Sequence, residues 1–161
     1  MAPRVSSAAP ADLRRLVAAA RAVRVNAHAP YSRYRVGAAV LTRGGNVYAG
    51  CNVENATYGA TLCAERSAVA AMVAAGDRDP VACAVVTAGP KPGAPCGICR
   101  QVLAEFALDL KVLLVAEDAR GRVVARSSAR LASLLPRAFR LGLHEAALHR
   151  IRGSGSCAGG R

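Results

Sequence analysis

Three cysteines and one glutamate, placed in two short motifs, are the residues of this 161-residue chain best suited to chemistry. Cys63 opens the run Cys-Ala-Glu-Arg, and Cys96 and Cys99 belong to the run Pro-Cys-Gly-Ile-Cys. Three thiolates can hold a zinc ion and leave its fourth position to water, whose pKa the metal lowers towards neutrality. Glu65 is close enough in sequence to Cys63 to move protons beside that water. The two motifs therefore predict hydrolytic chemistry at a zinc centre.

Both motifs lie where hydrophobic spacing predicts that a helix begins, over residues 62–75 and residues 97–107. The N-terminus of a helix carries a partial positive charge, which favours the thiolate over the thiol. Three thiolates more than neutralise a divalent cation, and this weakens the cation's effect on bound water. Arg66 follows Glu65 directly, and its guanidinium is placed to donate to the ligand sulfurs and withdraw charge from them.

A redox pair or a closed structural zinc site would use some of the same residues. The Cys-x-x-Cys spacing of Cys96 and Cys99 occurs in both kinds of site. A closed site needs a fourth ligand, and the candidates Cys51 and Cys83 lie in apolar strand segments, where cysteine usually serves as a small buried hydrophobe. The catalytic interpretation is favoured because the glutamate and the proline complete one pattern, which is a described signature of zinc-dependent base deaminases.

Periodicity and turn residues predict one layered α/β domain around these motifs. Further helices are predicted over residues 10–27, 129–135 and 145–151, and strands over residues 36–42, 46–53, 81–87, 111–116 and 122–126. The glycines within residues 43–46 would supply the positive φ angles of a tight hairpin between the first two strands. A helix separates the third strand from the fourth, which predicts a mixed sheet. The expected fold is a three-layer α/β/α sandwich with a five-stranded mixed sheet.

Length and composition indicate how the chain is organised. A chain of 161 residues suffices for a single core, and we expect a flexible N-terminus over residues 1–9, one zinc-dependent domain over residues 10–151 and a disordered Gly/Ser-rich tail over residues 152–161. No apolar run is long enough to cross a bilayer, and no signal-type apolar segment follows Arg4. A cytoplasmic location is therefore expected. In that compartment disulfides are rare, so the six cysteines are expected to bind metal or to be buried as free thiols.

The net charge of +12 would suit a nucleic-acid partner, but its distribution does not. The arginines are scattered along the chain and form no single block, which is typical of solvated faces. The chain has no Trp, four Tyr and two Phe, too few aromatic rings for a single-strand stacking platform. Charge distribution and composition therefore argue against a nucleic-acid partner.

With these motifs in place, residues 30–141 resemble the small homotetrameric cytidine deaminases, zinc enzymes that act on free nucleosides. Residues 30–38, Pro-Tyr-Ser-Arg-Tyr-Arg-Val-Gly-Ala, are similar to the family's opening segment, and residues 52–56 to its ribose-binding segment. Residues 95–106 are similar to its second zinc motif, and residues 134–139 to its closing segment. The resemblance implies the family's fold, a homotetramer with shared active sites, and no membrane association.

The resemblance also implies how the metal centre is built. The three cysteines would bind one zinc ion per subunit, and Glu65 would act as the proton shuttle. Arg66 and Gln101 would brace the metal ligands from behind. Ala64 would offer backbone contacts to the pyrimidine ring.

Five further residues would bind substrate if the resemblance holds. Asn52 and Glu54 would hold the ribose hydroxyls, a role that suits an amide and a carboxylate on one side of a strand end. Tyr34 stands where the family commonly has a Phe that stacks on the base. Tyr58 and Phe139 are similar to aromatic residues that the family presents across subunit boundaries.

The implied reaction is the hydrolytic deamination of cytidine, 2′-deoxycytidine or both, a step of pyrimidine salvage that yields the uridine nucleoside and ammonia. One alternative is a deaminase of a cytosine nucleoside antibiotic, similar to blasticidin S deaminase, but the Asn52 and Glu54 pair argues for an ordinary ribose. A polynucleotide editor would typically carry His where this chain has Cys63. A structural zinc or redox protein would tolerate the substitution Glu65→Gln without effect.

Overall fold

The computed structural model describes residues 8–141 of the chain. The helix expected over residues 145–151 and the tail expected over residues 152–161 lie outside the described residues, as do residues 1–7 of the expected N-terminus. Within the described range, no helix combines the length and apolar character needed to span a bilayer. The domain boundaries stay predictions.

Four helices and five strands make up the described part of the chain. The helices are α1 (Pro10–Arg24), α2 (Ala64–Ala74), α3 (Gly97–Phe106) and the single turn α4 (Leu131–Leu134). The strands are β1 (Gly37–Thr42), β2 (Val47–Cys51), β3 (Pro80–Ala88), β4 (Lys111–Glu117) and β5 (Val123–Arg130). The predicted order of elements is confirmed, apart from the corrections given below.

The strands form one mixed sheet in the order β2-β1-β3-β4-β5. Strands β3 and β4 pair in parallel, and the other three neighbouring pairs are antiparallel. The parallel pair follows from chain connectivity, because helix α3 carries the chain back to the end of the sheet where β3 began. The five-stranded mixed sheet is therefore confirmed.

Helices cover both faces of this sheet. On one face, Leu16 and Ala20 of α1 pack against a cluster that includes Leu41 and Val86. On the other face, α2 and α3 pack on a second cluster. All six residues of β1 are buried, because that strand lies between the two helical layers. These layers confirm the predicted three-layer α/β/α sandwich.

Two close contacts fix the helices on the sheet. A Cβ atom at Gly50 of β2 would lie 2.4 Å from the backbone nitrogen of Ala68, so only glycine lets α2 approach this closely. On the opposite face, the buried carboxylate of Glu117 pairs with Arg21 and Arg24 of α1, with 2.9 Å between Arg24 Nη2 and Glu117 Oε2. The position of α2 matters for function, because Cys63 immediately precedes it.

Three details of the sequence-based prediction need correction. Strand β5 continues to Arg130, whereas residues 129–135 were expected to be helical; Ala129 pairs with Val112 because β4 offers a partner along its whole length. In the β1–β2 turn, Gly45 has a positive φ of 85° and Gly44 does not. A 3₁₀ turn over Tyr58–Ala60 was not anticipated.

Candidate metal centre and substrate cavity

The sulfur atoms of Cys63, Cys96 and Cys99 lie together, within 4.8 Å of one another. We call these residues the three-cysteine cluster. Cys63 is the N-cap residue of α2, Cys96 is the N-cap residue of α3, and Cys99 lies in the first turn of α3, as the sequence predicted. Helix N-termini favour the anionic ligands that a metal requires.

The spacing of the sulfurs fits zinc. The Sγ atoms of Cys63 and Cys96 are 3.9 Å apart. Tetrahedral coordination at a zinc–sulfur distance of about 2.3 Å separates two ligand sulfurs by about 3.8 Å. Within residues 8–141, no fourth His, Cys, Asp or Glu joins the cluster. The described residues thus offer three ligands and an open position, which is the pattern of a catalytic zinc site.

The three thiols differ in their acidity. Burial raises the pKa of the Cys63 thiol against the opposing effect of Arg66, and burial together with the charge of Glu65 raises that of Cys99 strongly. Partial burial also acts to raise the pKa of Cys96, but hydrogen bonds from the backbone N–H and thiol of Cys99 outweigh it and lower that pKa. A metal ion that binds the cluster as three thiolates must therefore displace protons.

Glu65 is the buried acid of the site. Its side chain lies in the first turn of α2, and the residue is only 5% exposed. Burial raises the pKa of its carboxyl group, although its own backbone N–H, the Cys99 thiol and the charge of Arg66 act in the opposite direction. A carboxylate whose pKa is raised is a stronger base than an ordinary one, which suits a group that accepts a proton and then returns it.

Arg66 reaches the cluster where the sequence placed it. Its Nη2 donates to the carbonyl oxygen of Thr61 and lies 3.8 Å from the Sγ of Cys63. The contact with Cys63 raises the pKa of Arg66, so the guanidinium stays charged. The contact supports the prediction that Arg66 withdraws charge from a ligand sulfur.

Gln101 makes contacts other than those expected. It was predicted to brace the metal ligands, but its side-chain amide pairs with the backbone of Phe139 at both ends: Nε2 donates to the carbonyl oxygen at 2.9 Å, and Oε1 accepts from the N–H at 3.2 Å. The neighbouring Arg100, which was not predicted from the sequence, donates to the carbonyl oxygens of Pro95 and Leu134 at 2.7 and 2.8 Å. Helix α3 thus ties the closing segment of the described chain to the metal motif.

A cavity of about 200 Å³, which we call the inner cavity, opens beside the three-cysteine cluster. Four of the six predicted substrate-binding residues line it together with Glu65: Tyr34, Asn52, Glu54 and Ala64. Several other lining residues were not predicted from the sequence: Ser32, Thr61, Thr87, Gly93 and Ala94. These residues come from separate loops and a strand end, so no local motif signals them.

The remaining two predicted residues lie elsewhere. Tyr58 is 79% exposed and lines a second, outer cavity of about 430 Å³ that shares Ser32, Glu54 and Thr61 with the inner one. The Tyr58 ring packs edge-on against that of Tyr31, with 6.3 Å between their centroids. Phe139 is 69% exposed and lines neither cavity.

Asn52 and Glu54 hold the loop that forms one wall of the inner cavity. Asn52 accepts from the N–H of Val36 at 2.8 Å and donates to the carbonyl oxygen of Tyr34 at 2.9 Å. Glu54 accepts from the N–H groups of Tyr31 and Ser32 and from the Ser32 hydroxyl. The Ser32 bond is the main cause that lowers the pKa of Glu54, so the carboxylate stays charged at neutral pH.

A third cavity, of about 370 Å³, lies on the opposite face of the sheet between α1 and strands β4 and β5. Its lining combines apolar side chains such as Leu13 and Val17 with three arginines: Arg14, Arg21 and Arg126. It contains no acid, thiol or imidazole among the described residues that line it, so it offers no proton-transfer group. The inner cavity is therefore the candidate active site.

Comparison with known proteins agrees with this assignment. The model of a family described as the cytidine and deoxycytidylate deaminase zinc-binding region matches residues 11–115. A cytidine deaminase of Halalkalibacterium halodurans is 49% identical over 104 residues, which are 64% of this chain and 79% of that relative. A cytidine deaminase of Mycobacterium tuberculosis is 45% identical over 115 residues, which are 71% of this chain and 80% of that relative.

Solved structures agree as well. The crystal structure of a cytidine deaminase from Burkholderia pseudomallei superposes with a TM-score of 0.70 at 46% identity, covering 78% of this chain and 98% of that one. The crystal structure of the Mycobacterium tuberculosis cytidine deaminase superposes with a TM-score of 0.67 at 41% identity, covering 81% of this chain and 98% of that one.

Proposed function

This chain belongs to the cytidine and deoxycytidylate deaminase family, and from that premise we propose that it is a zinc-dependent hydrolase that deaminates cytidine or 2′-deoxycytidine in its inner cavity. The observation that carries the proposal is the meeting of the three-cysteine cluster with a buried Glu65 in one cavity, which Asn52 and Glu54 also line. The products are the uridine nucleoside and ammonia.

When bound by the three cysteines, zinc would supply an activated water as the nucleophile at C4 of the cytosine ring. Glu65 takes a proton from that water and delivers it to N3 of the ring, which makes C4 more electrophilic. Glu65 then takes the proton of the new C4 hydroxyl group and delivers it to the exocyclic nitrogen, so that the C4–N4 bond breaks, ammonia leaves and C4 becomes the carbonyl carbon of the uridine product. Burial of Glu65 supports this role, because a raised pKa lets one carboxyl group act as base and then as acid.

The charges of the inner cavity favour a nucleoside over a nucleotide. Among the described residues that line this cavity, none is a lysine or an arginine, while Glu54 and Glu65 are both acids. A 5′-phosphate group would approach this negative lining without a cationic partner. The family's description covers both cytidine and deoxycytidylate deaminases, and we place this chain with those that act on nucleosides.

Spare hydrogen-bonding capacity at Asn52 and Glu54 supports the proposal that they bind the sugar. A carboxylate has about four acceptor sites, and Glu54 uses three of them on Tyr31 and Ser32. The Asn52 amide keeps one N–H and one lone pair beyond its two bonds to the backbone of Tyr34 and Val36. A ribose hydroxyl can therefore pair with either residue while the loop stays anchored.

The protein would act as a homotetramer in which Tyr58 and Phe139 complete the active sites of neighbouring subunits. Their exposure supports this part of the proposal, since two large aromatic side chains are left without cover in the single chain. Light scattering coupled to size-exclusion chromatography tests it, and a monomer that turns over cytidine at full rate would contradict it. The cytoplasmic location and the role in pyrimidine salvage stay predictions.

The proposed activity is tested by adding cytidine, 2′-deoxycytidine and cytidine 5′-monophosphate separately to the purified, zinc-loaded protein and following ultraviolet absorbance. We expect rapid turnover of one or both nucleosides and little turnover of the monophosphate. Turnover of a cytosine nucleoside antibiotic with neither nucleoside converted would favour the alternative that resembles blasticidin S deaminase. Absence of turnover with every substrate, in folded protein that contains zinc, would contradict the proposal.

A further inference from the structure

The phenol of Tyr34 lies against a glycine on the opposite wall of the inner cavity. A Cβ atom at Gly93 would lie 2.8 Å from the Tyr34 hydroxyl oxygen and 3.0 Å from Cγ2 of Thr87. Both distances are shorter than an ordinary van der Waals contact. The Tyr34 hydroxyl therefore occupies space that any side chain at position 93 would need.

Both sides of this contact are anchored by hydrogen bonds. The N–H of Tyr34 donates to Ser32 Oγ at 2.9 Å, and its carbonyl oxygen accepts from Asn52 at 2.9 Å. Across the cavity, the N–H of Gly93 donates to Oγ1 of Thr87 at 3.1 Å, and Thr87 is only 2% exposed. These bonds hold the backbone of Tyr34 and of Gly93 in place on the two sides of the contact.

The Tyr34 hydroxyl has no hydrogen-bond partner among the described residues, although it borders the inner cavity. A phenol can donate one hydrogen bond and accept others. Tyr34 is 43% exposed, so water can reach its side chain in the free protein. A ligand that fills the cavity displaces that water, and a polar group left unpaired at this point weakens binding.

We propose that Gly93 and Thr87 position the Tyr34 ring so that its hydroxyl forms a hydrogen bond with the bound cytosine nucleoside. This inference rests on the proposed function, because it requires a nucleoside in the inner cavity. Gly93 and Thr87 are positioning residues that act through Tyr34, whereas Tyr34 touches the substrate directly. The wall that they form selects nucleosides with a polar atom facing the segment between β3 and α3.

The first test separates the hydroxyl from the ring. In Tyr34→Phe, we expect the dissociation constant for uridine, the reaction product used as a probe, to rise about 2-fold to 10-fold. The melting temperature should stay unchanged, because the hydroxyl has no partner in the described chain to lose. Calorimetric titration of uridine measures the affinity without turnover. Equal affinity in Tyr34→Phe and in the unmodified protein would overturn the hydrogen bond.

The second test is a double-mutant cycle on the contact itself. Gly93→Ala should lower kcat/KM about 10-fold or more in the unmodified protein. In the Tyr34→Phe background the same substitution should cost about 5-fold less, because the clashing oxygen is gone. Thr87→Ser keeps Oγ1 and removes Cγ2, so it should further reduce the loss of kcat/KM that Gly93→Ala causes. Gly44→Ala is the control: a Cβ there has no neighbour closer than 3.7 Å.

The outcomes distinguish this inference from the proposed function. If the unmodified protein neither binds uridine nor turns over cytidine, the proposed function fails and the inference fails with it. If the unmodified protein is active but Gly93→Ala costs the same in both backgrounds, the positioning role fails alone. Relief of that cost by Tyr34→Phe, together with weakened uridine binding, supports it.

Discussion

The guanidinium of Arg66 spans two parts of the metal motif, with its Nη2 3.8 Å from the Sγ of Cys63 and bonded to the carbonyl oxygen of Thr61. The same side chain buries its Nε without a partner among the described residues. A positive charge is thus held against one sulfur of an all-thiolate ligand set. Such a set donates more negative charge than one that contains histidine, so we expect the arginine to restore part of the acidity of a bound metal ion.

Arg66→Gln should therefore weaken both zinc binding and activity. Loss of an outer-shell partner typically costs about 10-fold to 100-fold in metal affinity or activity. Competition with a chromogenic chelator measures zinc affinity, and cytidine turnover at saturating zinc measures activity. Arg78→Gln, at an exposed arginine outside the cavities, is the matched control. Unchanged zinc affinity and turnover in Arg66→Gln would show that the contact with Cys63 has no effect on the metal.

Glu65→Gln should abolish turnover while zinc remains bound. The substitution keeps the size of the side chain and removes its ability to carry a proton, a role that contributes about 10²-fold to 10⁴-fold in rate. Zinc content by atomic absorption and kcat for cytidine are measured on the same sample. Asp12→Asn, on α1 and away from the inner cavity, is the control for loss of a carboxylate. Full activity in Glu65→Gln would favour the structural zinc alternative.

Asp77 gives an expected pH dependence of stability. Burial acts to raise the pKa of its carboxyl group, but hydrogen bonds from Thr42, Asn46 and nearby backbone N–H groups outweigh it and lower the pKa below its ordinary value of 3.8. The Thr42 hydroxyl donates to Asp77 at 2.7 Å. Because the folded-state pKa is lowered, this group's contribution is fully present above the unfolded value and is lost as pH falls through the folded value.

Thr42→Val should flatten that dependence, because it removes the strongest side-chain donor to Asp77. The free energy of unfolding in urea, measured between about pH 6 and pH 2.5, should fall less steeply with acid than in the unmodified protein. Thr42→Ser retains a hydroxyl and should keep the original slope. Equal slopes for the valine and serine variants would contradict the role of this hydrogen bond.

The sequence predicted the metal centre well because its signals are local. Cys63 and Cys96 each precede an amphipathic helical run, and the spacing of three positions from Cys96 to Cys99 places both sulfurs on one helical turn. Strands β2 and β3 are both antiparallel to β1, so their carboxyl ends lie at one edge of the sheet, and α2 and α3 begin beyond that edge. Helix starts and strand connections of this kind can be derived from periodicity and turn residues.

The rest of the site could not be predicted from local pattern, because it depends on contacts between distant segments. Thr87 and Gly93 become wall residues only because the segment between them turns back against Tyr34. Asn52 was expected to hold a ribose hydroxyl, and its contacts with the segment from Tyr34 to Val36 were not anticipated. Such contacts follow from tertiary packing, and neither residue spacing nor amino-acid composition in the sequence predicts them.

Gln101 distinguishes two ways of supporting the site. If it braces the metal ligands, as the sequence predicted, Gln101→Met should weaken zinc binding. The structure instead shows its amide bonded to both backbone groups of Phe139, so we expect zinc affinity to stay constant while the closing segment loosens.

The kinetic consequence should then appear mainly in substrate binding. A loosened Phe139 would raise KM for cytidine about 3-fold to 10-fold, the effect of about one lost hydrogen bond, with a smaller change in kcat. Gln101→Glu provides the matched comparison, since its carboxylate still accepts from the N–H of Phe139 but cannot donate to the carbonyl oxygen. Its KM should therefore lie between those of the unmodified protein and Gln101→Met. A loss of zinc affinity with KM unchanged would instead show that Gln101 supports the metal ligands, because a role limited to Phe139 does not predict weaker zinc binding.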